Sequence, residues 1–123
     1  MTNANEEIIK RFLVAWSNLD PNELTEYFTE DGIYHNIPTS PTVGKEQVRA
    51  QITGICERWT KTSWDLVTIA SNDNLVIAER VDRTEMGDKK VDLPCTGVFE
   101  MEDGKIKVWR DYFDLNTFRK AME

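Results

Sequence analysis

From residue 62 to residue 115 the chain reads as four successive strands with short turns between them, while helical periodicity dominates the first half. The strand segments are 62–70, 75–86, 91–101 and 105–115, rich in β-branched and aromatic residues whose side chains alternate between two faces. Ahead of them, Ile8, Ile9, Phe12, Leu13 and Trp16 recur at helical spacing. Asp20-Pro21 reads as an N-cap followed by proline in the first turn of a short helix through Leu24 and Phe28. "DGIYHNIP" is a short strand that Pro38 ends or leaves at an edge. A third helix begins after Gly44 with Val48, Ile52, Ile55, Cys56 and Trp59 on its inner side, and a short helix over 116–122 closes the chain. Helices segregated ahead of consecutive strands predict an α+β fold, a curved and mostly antiparallel sheet with helices over one face and room for a pocket between them.

Several function classes fall away on composition. The chain has 123 residues, with no repeat, linker or low-complexity tract, which predicts a single domain, 1–123. Its 22 acidic and 15 basic residues give a net charge of −7, so its surface repels phosphate backbones and anionic lipids, and nucleic acid is not an expected partner. No apolar run approaches the roughly 20 residues of a membrane span, and "MTNANEEIIKRF" carries acids where a signal or transit peptide carries bases. A cytoplasmic location is the expectation, in which Cys56 and Cys95 are reduced core thiols. One histidine, His35, excludes a multi-histidine metal centre and leaves no Ser-His or Cys-His pairing. No metal is expected.

Polar residues interrupt the apolar rows in a pattern. In "LVIAERVDRTEM", Arg80 and Asp82 share a face with Val76, Ala78, Thr84 and Met86; in "GIYHNIP", Tyr34 and Asn36 are paired the same way. In "VWRDYFDL", Asp111 lies on the side of Trp109, Phe113 and Leu115. A buried ion pair is a poor source of net stability because both charges lose water. Two aspartates, an arginine, a tyrosine and an asparagine all aimed inward therefore point to catalysis.

Register decides whether Asp111 joins the others. A three-residue "EDG" loop sets Cys95 opposite Asp111 and Leu93 opposite Phe113, whereas a two-residue Asp103-Gly104 turn inverts the faces. The three-residue loop is preferred, because it puts Leu93, Cys95, Phe99, Trp109 and Phe113 on one side. It turns Ile106 and Val108 to the other face, which then needs cover, and a homodimer is the expected source.

"YHNIP" (34–38), "ERVD" (79–82), "GVFE" (97–100) and "GKIKVWRDYFDL" (104–115), in this order, resemble the limonene-1,2-epoxide hydrolase family over residues 13–118. The resemblance implies the cone-shaped α+β fold shared with nuclear transport factor 2, ketosteroid isomerases and polyketide cyclases, with a mixed sheet whose concave face the N-terminal helices cover. It also implies that Asp82 and Asp111 are the catalytic carboxylates, with Arg80 between them and Tyr34 and Asn36 holding a water.

The chemistry of a neutral epoxide explains those residue types. Opening needs a proton on the ring oxygen and a deprotonating water at carbon. Protonated Asp82 would supply the first and ionised Asp111 the second, with water attacking directly and no covalent ester. Two close buried carboxylates share one proton, and Arg80 compensates the remaining charge. No cofactor is called for. Leu13, Trp16, Ile55, Trp59, Leu93, Trp109 and Phe118 are the expected walls of a cavity for a small lipophilic or cyclic epoxide. Other readings on the same frame are a ketosteroid isomerase or polyketide cyclase, an epoxide-opening cyclase that uses an internal hydroxyl, and a non-catalytic protein that binds a hydrophobic ligand.

Overall fold

Asn3 starts the first helix: its side chain accepts the Asn5 amide N–H at 2.7 Å and opens α1 (Ala4–Ala15), which buries Ile9, Phe12 and Leu13. The computed structural model describes residues 3–123. A 3-10 turn (Trp16–Asn18) and a left-handed Leu19 lead into α2 (Pro21–Thr25). There the Asp20 carboxylate accepts the N–H groups of Asn22 and Glu23 at 3.0 and 3.3 Å, with Pro21 in the first position, as the sequence predicts. The helix is shorter than expected, and Phe28 opens β1 (Phe28–Asn36) instead, where its ring meets Phe12 edge-on at 6.0 Å. After β2 (Thr42–Val43), which the sequence pattern does not reveal, α3 (Lys45–Arg58) buries Val48, Ile52 and Ile55.

Four long strands follow: β3 (Lys61–Asn72), β4 (Leu75–Met86), β5 (Lys89–Glu102) and β6 (Lys105–Tyr112). Asp114 then caps α4 (Leu115–Ala121). The strands form one sheet in the order β2-β1-β6-β5-β4-β3, in which only the β1–β6 pair is parallel. This is the mixed, mostly antiparallel α+β fold expected. Extra residues interrupt the ladders at Val67 in β3, at Lys107 in β6 and early in β1, and bulges of this kind bend a sheet around the element packed on it. Phe12 sits at the centre of that packing, its ring meeting Trp16, Phe99 and Trp109 edge-on at 6.2, 6.1 and 5.1 Å. Among the described residues no helix is long and apolar enough to cross a membrane.

The β5–β6 register differs from the expected one. Asp103 and Gly104, at φ 50° and 76°, form a two-residue turn that pairs Glu102 with Lys105. The bulge at Lys107 then shifts the ladder by one more residue, so Gly97 lies opposite Asp111 and Phe99 opposite Trp109. The total offset is two residues, and a shift of two preserves the faces. Cys95, Phe99, Trp109 and Asp111 therefore all point inward and are buried. Phe113 lies beyond β6, so it does not face Leu93 in the ladder. Ile106, expected on the outer face, precedes the bulge and is fully buried, while Val108 is half-buried.

Candidate active site

On β4, alternation sends Val76, Ala78, Arg80, Asp82 and Thr84 to the interior, all buried. Arg80 binds the carboxylate two residues along its own strand and a second one two strands away. Its Nε donates to Asp82 Oδ1 at 2.7 Å and its Nη2 to Asp82 Oδ2 at 3.1 Å. Its Nη1 donates to Asp111 Oδ1 at 2.9 Å, and Nη2 also donates to Asp111 Oδ2. The guanidinium has to cross β5 to reach β6, and Gly97 makes the crossing possible. A Cβ there would stand 2.8 Å from Arg80 Nη1 and 2.9 Å from Asp111 Oδ1. The charge also lies over the ring of Trp64, 4.4 Å from its centroid, and Trp64 is itself stacked on Trp16 at 4.5 Å.

Asp111 receives a further donor, Trp109 Nε1, at 2.7 Å from Oδ1. The parallel ladder sets Tyr34 beside Trp109 and Asn36 beside Asp111. The Tyr34 ring accordingly stacks on Trp109 at 4.3 Å with 4° between planes, and Phe99 stacks on Trp109 at 5.4 Å. All five polar residues singled out in the sequence thus converge, from three different strands.

Protonation follows from burial and neighbours. Burial pushes Asp82 up from the usual carboxylate range to about 6; Arg80 pulls it back, and Asp111 adds to the rise. Burial works against the Arg80 charge, but Asp111 and Asp82 outweigh it and keep the guanidinium protonated well above the ordinary arginine range. Burial, and then Asp111, push the Tyr34 phenol far up. Burial and Asp82 likewise raise the Cys95 thiol, which is therefore neutral and a weak nucleophile.

A cavity of about 180 Å³ opens onto this group. Tyr34, Asn36, Asp82 and Asp111 line its polar part, and Ile55, Trp59, Leu93 and Phe118 its apolar walls, as the sequence suggests. Leu13, Trp16 and Trp109 stand behind the lining, in the core. Lining residues that sequence reasoning left out are Thr39, Gln51, Arg58, Trp64, Cys95, Phe113 and Leu115. Helical spacing holds the signal for two of them, because Gln51 and Arg58 flank Ile55 at four and three residues. α4 supplies one wall: its Phe118, with Phe113 before it, covers Leu93 and Cys95.

Asp82, Cys95 and Asp111 each offer a ligand atom within 4.8 Å of the others. Arg80 already stands between the carboxylates where a metal cation would sit, so this group is organised around a guanidinium. His35 turns away, its Nε2 meeting the Thr39 carbonyl at 3.0 Å. A raised carboxyl, an ionisable partner and a fixed cation at the end of an apolar cavity can move a proton in each direction on a neutral substrate.

The model of the limonene-1,2-epoxide hydrolase catalytic domain matches residues 3–123. Epoxide hydrolase EphG of Mycobacterium tuberculosis is 28% identical over 114 residues, 93% of this chain and 76% of that protein. The solved structure of an M. tuberculosis LEH-like epoxide hydrolase superposes with a TM-score of 0.85 at 27% identity, covering 97% of this chain and 90% of that one. A Catenulispora acidiphila protein with a ketosteroid isomerase-like fold also superposes at 0.85, with 19% identity over 94% of this chain and 91% of its own, a likeness of fold.

Proposed function

Since the chain belongs to the limonene-1,2-epoxide hydrolase family, we propose that it adds water directly to a small lipophilic or cyclic epoxide to give a vicinal diol, with no covalent intermediate and no cofactor. One observation carries the mechanism: a single guanidinium holds Asp82 and Asp111 together at the polar part of an otherwise apolar cavity. Asp82, the carboxyl raised to about 6, gives its proton to the ring oxygen as the C–O bond breaks. Asp111 takes a proton from the attacking water, which Tyr34 and Asn36 hold. The carboxyl pair begins and ends the cycle with one shared proton, which passes from Asp82 to Asp111 overall, and solvent exchange resets it. Arg80 keeps its charge throughout and fixes both side chains as a planar fork, which a lysine point charge cannot do.

The apolar walls suit a lipophilic body, and the low-dielectric surroundings strengthen both carboxyl groups toward the reacting atoms. One domain, two unpaired thiols and a cytoplasmic setting fit together. The outer sheet face exposes Val67, Ile77 and Tyr112, apolar surface that a second copy in a homodimer would cover. A monomeric mass in solution would exclude that assembly.

The decisive experiment incubates the protein with a panel of terpene and cyclic epoxides in water enriched in heavy oxygen and follows the diol by mass spectrometry. Label in the diol from a single turnover is the expected result, with none formed by Asp111→Asn. Unlabelled first-turnover diol would mean a carboxylate nucleophile, and a cyclic ether product would mean an internal hydroxyl attacks.

A further inference from the structure

Arg58, in the last turn of α3, lines the cavity, and the reaction described above makes no use of it. The cavity grades from buried to exposed: Tyr34, Asp82 and Asp111 are 3–5% exposed, while Thr39, Gln51 and Arg58 are open to solvent. The second group therefore forms the mouth. Gln51, Ile55 and Arg58 share one face of α3, so the helix presents an amide, an apolar wall and a guanidinium in one row along the cavity. The guanidinium lies back along the helix, its Nη1 3.4 Å from where a Cβ on Gly54 would stand. Arg49, Arg80, Arg83 and Arg110 each hold a carboxylate, while Arg11 and Arg119 hold none among the described residues but do not line the cavity. Arg58 forms no ion pair among the described residues, so its fork of donors is open. A cation at a helix C-terminus suits the dipole, but that role does not require bordering the cavity.

We propose that the substrate is an epoxide that carries a carboxylate, with its ring against Asp82 and Asp111 and its carboxylate at the mouth on Arg58 and Gln51. The inference rests on the hydrolase reading and narrows its substrate class. A planar guanidinium offers parallel N–H donors that match two carboxylate oxygens, and the Gln51 amide adds one donor beside them. The chain carries a net charge of −7, so an unpaired cation at the mouth is the local point that draws an anion in. About 180 Å³ admits a small ring bearing such a group, and the exposed mouth leaves the charge near water, so no buried anion is created.

The test compares an epoxycyclohexane carboxylate with its isosteric carboxamide, for wild type and Arg58→Gln, and measures the diols of both by tryptophan fluorescence titration. A wild-type preference for the carboxylate of about fivefold in kcat/KM, the scale of a solvent-exposed ion pair, is expected, and Arg58→Gln should bring the ratio to about one. The preference should also shrink in high salt. Equal use of both compounds by wild type, or a preference that survives Arg58→Gln, overturns the proposal. Tighter binding of the carboxylate diol with no turnover of either epoxide would support the mouth and overturn the hydrolase reading. Turnover of both epoxides at equal rates would do the reverse.

Discussion

Trp109 Nε1 donates to Asp111 Oδ1 at 2.7 Å, between two residues of one strand separated by a single position. Arg80 Nη1 meets the same oxygen at 2.9 Å, so Oδ1 is filled, whereas Oδ2 has only Arg80 Nη2 and keeps a free acceptor site. In the proposed reaction the proton from water would therefore go to Oδ2. The indole cannot turn away, because Tyr34 and Phe99 stack on it at 4.3 and 5.4 Å. Trp109→Phe keeps the stack and deletes the donor. It should lower kcat/KM roughly tenfold to a hundredfold, the effect of losing a hydrogen bond to a charged group, while the thermal midpoint moves little. Unchanged kcat/KM would show that the indole only packs.

Asp82 is predicted to set the upper edge of the pH profile. The proposed mechanism uses its acid form, and burial raises it from an ordinary 3.8 to about 6, so kcat/KM should fall about tenfold per pH unit above about pH 6. Asp82→Asn should cut hydrolysis by roughly 10²- to 10⁴-fold below about pH 6, with the gap to wild type narrowing above it as wild type loses the same acid. The same group links pH to stability. Since the folded value lies above the unfolded one, its contribution is full below about pH 4 and is lost as pH rises through about 6, on the order of 3 kcal/mol. Asp82→Asn removes this loss and leaves Arg80 balanced by Asp111. Denaturant titrations from pH 4 to 7 should therefore slope downward for wild type more steeply than for the variant. Equal slopes would place the titrating group elsewhere.

Gly97 is predicted to be as sensitive as the charged residues it faces. A methyl group there would stand 2.8 Å from Arg80 Nη1, 2.9 Å from Asp111 Oδ1 and 2.9 Å from Phe99 Cε1, all held by tight partners. Gly97→Ala should cost about 1–3 kcal/mol in folding and disconnect Arg80 from Asp111. Arg80→Lys should spare the backbone yet lose most activity, because one ammonium cannot span both carboxylates. Comparing denaturation midpoints with kcat/KM for the two variants separates these effects. A fully active Gly97→Ala protein would mean that the crossing of β5 is looser than the distances indicate.

Much of this was legible in the sequence, for physical reasons. Period-two alternation sets which residues of one strand share a face, so the pairs Tyr34 with Asn36 and Arg80 with Asp82 could be read from strand pattern alone, whereas the side Asp111 takes depended on the β5–β6 register. Partners across strands could not. The expected Cys95–Asp111 pairing missed by two residues, one from the Asp103-Gly104 turn and one from the bulge at Lys107, and the two errors cancelled in facing. Ile106, between turn and bulge, took the full effect and lies inside. The walls were harder to read, because an apolar residue at core spacing gives no sign of whether it touches a cavity or stands behind one. Leu13, Trp16 and Trp109 fell behind the lining, while Arg58 and Gln51, at the same helical spacing as Ile55, were passed over because they are polar.

Tyr34 tests whether the water is held by a neutral phenol. Its ring is buried and stacked on Trp109, and burial followed by the nearby Asp111 raises its ionisation far above the ordinary range. It therefore keeps its proton wherever the fold survives, and can orient water without acting as a base. Tyr34→Phe retains the ring and removes the hydroxyl. The expected profile of kcat/KM against pH is lower by roughly tenfold to a hundredfold and parallel to wild type, with its upper edge still near pH 6, because Asp82 sets that edge. A shifted edge would mean that the phenol exchanges a proton in the cycle, as an isomerase with an enolate-stabilising tyrosine would require. An unlowered profile would leave Asn36 as the side chain that holds the water.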